Sequence, residues 1–214
     1  MPERFQDRYE AGQVLAHRLA AYARRPDVIV LALPRGGLPV GVEVARGLAA
    51  SLDVFLVRKL GVPGQEELAM GAIASGGVSV INREVVEMYH IPQSVIAEVV
   101  AAEQHELARR EHLYRGDRPP PAVAGQTVIL VDDGLATGSS MRAALAALHT
   151  QSPAWLVVAV PVAAQPVCQA LSGEANEVVC VLTPDPFYAV GLWYENFSQI
   201  SDDDVRRLLQ QSPQ

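Results

Sequence analysis

The chain has 214 residues, 50% of them hydrophobic, and a formal net charge of −7 from 17 basic and 24 acidic side chains. That length suits one α/β domain spanning 1–214, with a modest appendage and an ample core. The acidic balance argues against a general nucleic-acid binder, which needs a basic face, so a polyanionic small ligand must meet a local positive site.

The amino terminus, Pro2-Glu3-Arg4-Phe5-Gln6-Asp7-Arg8, has no signal-type apolar core, and no apolar run reaches membrane-spanning length. A soluble cytoplasmic protein with no membrane partner is expected. Residues from about Asp7 to Ala23 read as an amphipathic helix ended by Pro26. The unbroken apolar run Val28 to Leu33 follows, then Pro34-Arg35-Gly36-Gly37, a helix from about Pro39 to Ala50, and a second strand from Val54 to Val57. This is a βαβ unit, with a right-handed crossover in a parallel sheet. At its first strand–helix junction Arg35 is suited to grip a pyrophosphate. The bare amides of Gly36 and Gly37 would let the oxygens approach, as anion-binding nests do; the alternative is a turn whose arginine faces solvent.

Arg58 and Lys59 leave the second strand and enter a stretch punctuated by Gly61, Pro63 and Gly64 that continues through Gln65-Glu66-Glu67. It reads either as a mobile lid with a charged hinge or as a surface turn with two solvated cations. Met70 to Ala74 and Val78 to Ile81, joined by Ser75-Gly76-Gly77, look like a hairpin. A long helix from about Gln93 to Tyr114 forms a helical insertion at about 92–115. His105 and His112 share one of its faces, but their spacing favours a structural role over metal binding. Pro119-Pro120-Pro121 is a stiff connector.

The second half repeats the strand–helix rhythm with Val128 to Val131, a helix after Ser140, Leu156 to Val160, a helix near Gln165 to Leu171, and Val178 to Leu182. The rhythm predicts a doubly wound, mostly parallel sheet with helices on both faces, whose ligands sit at the carboxyl ends of the strands. Cys168 and Cys180 lie in apolar surroundings without ligand spacing. Buried free thiols are favoured over a disulfide or metal site, which suggests a reducing cytosol. The tail, about 184–214, is aromatic and loop-like until Ser201-Asp202-Asp203-Asp204 caps a last helix, Val205 to Gln210.

The most informative segment is Val128-Ile129-Leu130-Val131-Asp132-Asp133-Gly134-Leu135-Ala136-Thr137-Gly138-Ser139-Ser140. It runs a buried strand into two carboxylates, and then into a turn at a helix amino end. Unpartnered N–H groups and the helix dipole make that turn a phosphate cradle, to which Thr137, Ser139 and Ser140 add hydroxyl donors. Asp132 and Asp133 would repel a phosphate set directly on them, so they suit a hydroxylated or metal-bearing part of the same ligand. A sugar phosphate with a vicinal diol fits; the alternative is an ordinary turn in which the acids cap the next helix.

These residues resemble the signature of phosphoribosyltransferases that use phosphoribosyl pyrophosphate (PRPP): an apolar strand, two acids, and a Thr-Gly loop. The resemblance spans roughly Val28 to Phe197 and implies the type I phosphoribosyltransferase fold with a small variable hood. It implies that Asp132 and Asp133 contact the ribose hydroxyls, and that Ala136, Thr137, Gly138, Ser139 and Ser140 hold the 5′-phosphate. Arg35, Gly36, Gly37, Arg58 and Lys59 would then meet the pyrophosphate. Adenine phosphoribosyltransferases share the Asp-Asp-x-Leu-Ala-Thr-Gly pattern, an Arg-Gly pair and an Arg-Lys segment, but their base-recognition segment is not found here. The chain looks closer to a group of predicted phosphoribosyltransferases of unsettled substrate.

The implied reaction moves phosphoribose from PRPP to a nitrogen acceptor, a nucleobase with purine favoured, with Mg²⁺ carried mainly by ligand oxygens. Phe187, Tyr188, Trp193, Tyr194 and Glu195 are the candidate base hood, since a planar base stacks on aromatic faces; a packing tail is the alternative. A homodimer is the family expectation. Two other readings stand beside this one. The first is a PRPP-binding regulatory protein without turnover. The second is a Rossmann-type dinucleotide protein, against which stands the lack of G-x-G-x-x-G in the first βα turn.

Overall fold

A computed structural model describes residues 4–211, except the side chains of 66 and 67. Met1, Pro2 and Glu3 of the expected leaderless terminus, the last three residues of the tail, and the side chains of Glu66 and Glu67 in the expected lid lie outside the described residues. Five parallel strands form the main sheet in the order β2-β1-β6-β7-β8. They are β1 (Val28–Ala32), β2 (Ser51–Val54), β6 (Thr127–Val131), β7 (Trp155–Val162) and β8 (Glu177–Leu182). Their residues alternate between two covered faces, which is why the strands read as unbroken apolar runs. Val30, Ala32, Ile129, Val131, Val157 and Ala159 face one core with α1 (Arg8–Arg18) and α2 (Gly37–Leu48). Leu31, Val128, Leu130, Val158 and Val160 face the other with α5 (Ser139–His149) and α6 (Gln165–Leu171). Each fully buried Leu, Ile or Val contributes roughly 1.5–3 kcal/mol, so the sheet is a rigid base for the loops at its edge.

A smaller antiparallel sheet, β3 (Val57–Val62), β4 (Gln65–Ala74) and β5 (Val78–Ile81), leaves the carboxyl end of β2 and packs against α4 (Gln93–Arg115) and α5. The chain closes with α7 (Asp202–Gln210), which opens on a reciprocal Ser201–Asp204 capping box and packs on α4 and α2.

Several expectations change. The first helix stops at Arg18 and continues as a 3-10 turn, Ala20–Tyr22. The run Val54–Val57 is not one strand: β2 ends at Val54, and Phe55 and Leu56 are apolar because they are buried where the chain passes between the sheets. The stretch expected to be a lid or a surface turn is the β3–β4 hairpin, paired Val57 with Ala74 and Lys59 with Ala72 and turned at Gly64 with φ +79°. A short helix, α3 (Arg83–Met88), was not foreseen; Asn82 caps it by accepting from the Val85 N–H at 3.3 Å. Cys168 and Cys180 are not free thiols. They form a disulfide between α6 and β8, their Cα atoms 6.8 Å apart and both side chains only half-buried, so they give no support to a reducing compartment. That pairing depends on helix–strand packing, which the spacing of two cysteines does not report.

Candidate active site

The sheet order places β1 and β6 side by side while their following connections depart in opposite directions. In an open α/β sheet this switch point is where a crevice forms. The Leu33–Gly37 loop follows β1 and the acid loop follows β6, so topology brings together two motifs nearly a hundred residues apart in sequence. They are in close contact: the Leu33 N–H donates to the Val131 carbonyl at 2.9 Å. A methyl group on Gly37 would lie 2.9 Å from both the Val131 oxygen and the Asp132 Cα. Side chains at Gly36 and Gly37 are therefore excluded by the acid loop itself.

The two acids take different places. Asp132 lines a cavity of about 90 Å³ together with Pro34, Arg58, Arg110 and Ser140. Its Oδ1 accepts the Asp133 N–H at 2.8 Å. Burial, then the adjacent Asp133, hold its carboxyl well above the ordinary range. Asp133 lies against Gly36, and its Oδ2 accepts from Arg8 Nε at 2.8 Å, while the Tyr194 hydroxyl donates to its backbone carbonyl at 2.5 Å. Burial raises the Asp133 carboxyl too, and the Arg8 guanidinium opposes that rise.

In the turn, Leu135 bridges Ala163, and Ala136 and Thr137 are exposed. Gly138 starts α5 at φ +71°, with Val167 packed 2.8 Å from where its Cβ would be. Gly138 has no side chain to cap this end of an 11-residue helix, and of its first N–H groups that of Ser139 donates to Thr137 Oγ1 at 3.4 Å. The hydroxyls of Thr137 and Ser139 lie 3.0 Å apart beside them. The backbone and hydroxyl donors of an anion cradle are thus in one place, and Ser140 carries the turn to the Asp132 cavity.

Two of the flanking cations have an acidic neighbour. Arg35 Nη1 is 3.9 Å from Asp202 Oδ1 at the start of α7. Arg58 on β3 pairs with Glu103 on α4. Lys59 lines two larger cavities of about 520 and 500 Å³ beside the β3–β4 hairpin. Sequence reading missed Arg110, which α4 brings to the Asp132 cavity, and Arg8, which α1 brings to Asp133. For Arg8 a signal existed: a cation in the first turn of a helix opposes the dipole.

The aromatic tail is partly a packing element. Tyr194 is buried between Phe5 and Phe197, with ring centroids 5.7 and 5.1 Å away. Val190, in the 3-10 turn Val190–Trp193, presses on Gly134 behind the acids. Phe187 and Trp193 are half-buried, and Tyr188 and Glu195 are exposed. None of the five lines the Asp132 cavity. Among the described residues no group of three or more His, Cys, Asp or Glu is arranged to hold a metal ion, and no helix is long and apolar enough to cross a membrane.

A parallel sheet with the 2-1-6-7-8 order, and an acid pair and a Thr-Gly turn at its switch point, define a class of open α/β proteins with a ligand crevice at the carboxyl ends of the strands. The chain belongs to the phosphoribosyltransferase family: residues 6–183 match the phosphoribosyl transferase domain. It is 45% identical over 201 residues, or 94% of its length, to a Mycobacterium tuberculosis protein named "Putative phosphoribosyl transferase". The chain spans 45% of the length of that relative. The crystal structure of TT1426 from Thermus thermophilus is similar across 96% of this chain and 97% of that one, with a TM-score of 0.87 and 43% identity. The AQ2163 protein of Aquifex aeolicus shares the fold at 13% identity and a TM-score of 0.51, covering 96% of this chain and 86% of its own.

Proposed function

We propose that this protein binds PRPP at the β1/β6 switch point and transfers its phosphoribosyl group to a nitrogen acceptor, a nucleobase with purine favoured. The observation that carries this reading is the convergence of Pro34, Arg58, Asp132 and Ser140, from four separate segments, on one cavity. The C1–oxygen bond to pyrophosphate breaks, the C1–nitrogen bond forms, and the acceptor's proton leaves to solvent or a base. Catalysis is then mainly positioning and charge stabilisation. Asp132 and Asp133 hold the ribose diol and favour the positive charge that develops at C1. The 136–140 turn holds the 5′-phosphate, and Arg35, Arg58, Lys59 and Arg110 meet the departing pyrophosphate.

The cation-lined wall and the lack of a described carboxylate cage suit Mg²⁺ that arrives on ligand oxygens and water, where it would neutralise pyrophosphate charge. The adenine-type Asp-Asp-x-Leu-Ala-Thr-Gly pattern at Asp132–Gly138 is what favours a purine. The test is pyrophosphate release from PRPP and Mg²⁺ across adenine, guanine, hypoxanthine, xanthine, uracil and orotate. Release with one base, abolished in Asp132→Asn/Asp133→Asn, establishes the transferase. PRPP binding with no release with any base would favour the regulatory reading.

A further inference from the structure

Arg8 is held more closely than helix packing requires. It sits in the first turn of α1, an end already capped by Asp7, whose carboxylate accepts from the Tyr9 and Glu10 N–H groups at 2.8 and 3.0 Å. A cation there opposes the helix dipole, yet Arg8 is only 7% exposed. Its guanidinium is fixed on three sides. Nε donates to Asp133 Oδ2 at 2.8 Å, Nη1 donates to the Ser198 carbonyl at 2.8 Å, and Cζ lies 3.8 Å from the centroid of the Phe197 ring.

The two ends of the chain build this clamp together. The Phe5 N–H donates to the Trp193 carbonyl at 2.9 Å, the Glu195 N–H to the Phe5 carbonyl at 2.8 Å, and the Asn196 N–H to the Gln6 carbonyl at 2.9 Å. Tyr194, Phe197 and Ser198 lie beyond residue 183, where the match to the family domain ends, so the clamp joins the matched core to the segment that follows it. A buried ion pair adds little stability over apolar packing, because desolvation offsets the Coulomb gain. Its placement on one member of the acid pair gives it another consequence.

We propose that Arg8 is a positioning residue of the ribose site: it acts through Asp133, fixing that carboxylate against Gly36 and keeping it ionised beside Asp132. This rests on the PRPP reading above. Two adjacent carboxylates out of water share a proton unless a cation holds the charge of one of them. Arg8 assigns the negative charge to Asp133 and leaves Asp132 as the group that takes up a proton on acidification. The other charged or titratable groups facing the pair are the Tyr194 hydroxyl, from the tail, and Arg58 and Arg110, from β3 and α4 across the cavity.

The experiment is PRPP affinity by calorimetry from pH 5 to 8, with Mg²⁺ present, for the wild type, Arg8→Gln, Arg8→Lys and Phe197→Leu. PRPP's own titration is common to all four. The expected result is that the acid midpoint of binding moves up in Arg8→Gln by about 1–3 pH units, the size of an arginine's effect on a neighbouring aspartate. Arg8→Lys should restore most of that shift, and Phe197→Leu should give a smaller shift in the same direction. An unchanged midpoint in Arg8→Gln, whether affinity is intact or uniformly reduced, would overturn the proposal. If Arg8→Gln does not fold, Phe197→Leu decides, and an unchanged midpoint there overturns it. A wild type that binds no PRPP at any pH rejects the PRPP reading instead.

Discussion

Gly36 and Asp133 are in direct contact: a Cβ on Gly36 would lie 2.1 Å from Asp133 Oδ2, the oxygen that also accepts the Arg8 hydrogen bond. The loop after β1 and the acid pair are therefore packed directly against each other. Gly36→Ala should cost on the order of 1–3 kcal/mol of stability, the usual price of overpacking, and should weaken PRPP binding by more than tenfold. Chemical denaturation and calorimetry on the same preparation check both.

The raised Asp132 carboxyl has a consequence for stability. Its folded value lies above the ordinary value of about 3.9, so the group favours the folded state below pH 4 and that contribution is lost as pH rises through the folded value. Asp132→Asn should thus be more stable than the wild type at pH 7, by about 1–3 kcal/mol, the scale of burying an uncompensated polar group. The gain should shrink as pH falls toward 4, although PRPP binding is impaired throughout. Urea denaturation at pH 7 and pH 4 reads the difference; a variant less stable at pH 7 would contradict the assignment.

Glu103 neutralises Arg58 from α4, with both side chains about a quarter exposed. Removing that charge should free Arg58 for anionic ligands. Glu103→Gln is expected to tighten pyrophosphate binding about two- to fivefold, the equivalent of roughly 0.5–1 kcal/mol for a partly exposed pair, and more at low salt than at high salt. Competition between pyrophosphate and PRPP measures it.

Arg35 and Asp202 are 3.9 Å apart and each about two-fifths exposed, so their attraction is screened. Arg35→Ala should change stability by no more than about 0.5 kcal/mol while weakening pyrophosphate binding about tenfold or more. Equal losses in both measurements would mean the arginine is structural.

The Cys168–Cys180 bond is open to direct chemical test. Denatured, unreduced protein should show no free thiol, and two after reduction. Reduction should lower stability by about 2–3 kcal/mol, as expected for a short closed loop.

The sheet, most of its helices and the position of the Thr-Gly turn between a strand and a helix were legible in the sequence because their signals are local. Val28–Leu33 and Val128–Val131 are unbroken apolar runs because helices cover both faces, and the Asp-Asp and Thr-Gly residues are adjacent along the chain. What stayed hidden depends on contacts between distant segments. Arg8 meets Asp133 across 125 positions, and only the ribbon joining residues 5–6 to 193–196 explains why. Arg110 reaches the cavity because α4 folds back over β3, which its helical periodicity does not encode. The β3 strand was hidden because Gly61, Pro63 and Gly64 are turn residues; Gly61 sits at a register shift within the strand.

The most direct measurement is equilibrium binding of PRPP, with Mg²⁺, to the wild type and to Asp132→Asn/Asp133→Asn. The account predicts saturable binding, one PRPP per chain, reduced at least a hundredfold in the double variant while the fold and the 5′-phosphate turn remain intact. No binding by the wild type, or equal affinity in the two proteins, would contradict a ribose site at the β1/β6 switch point.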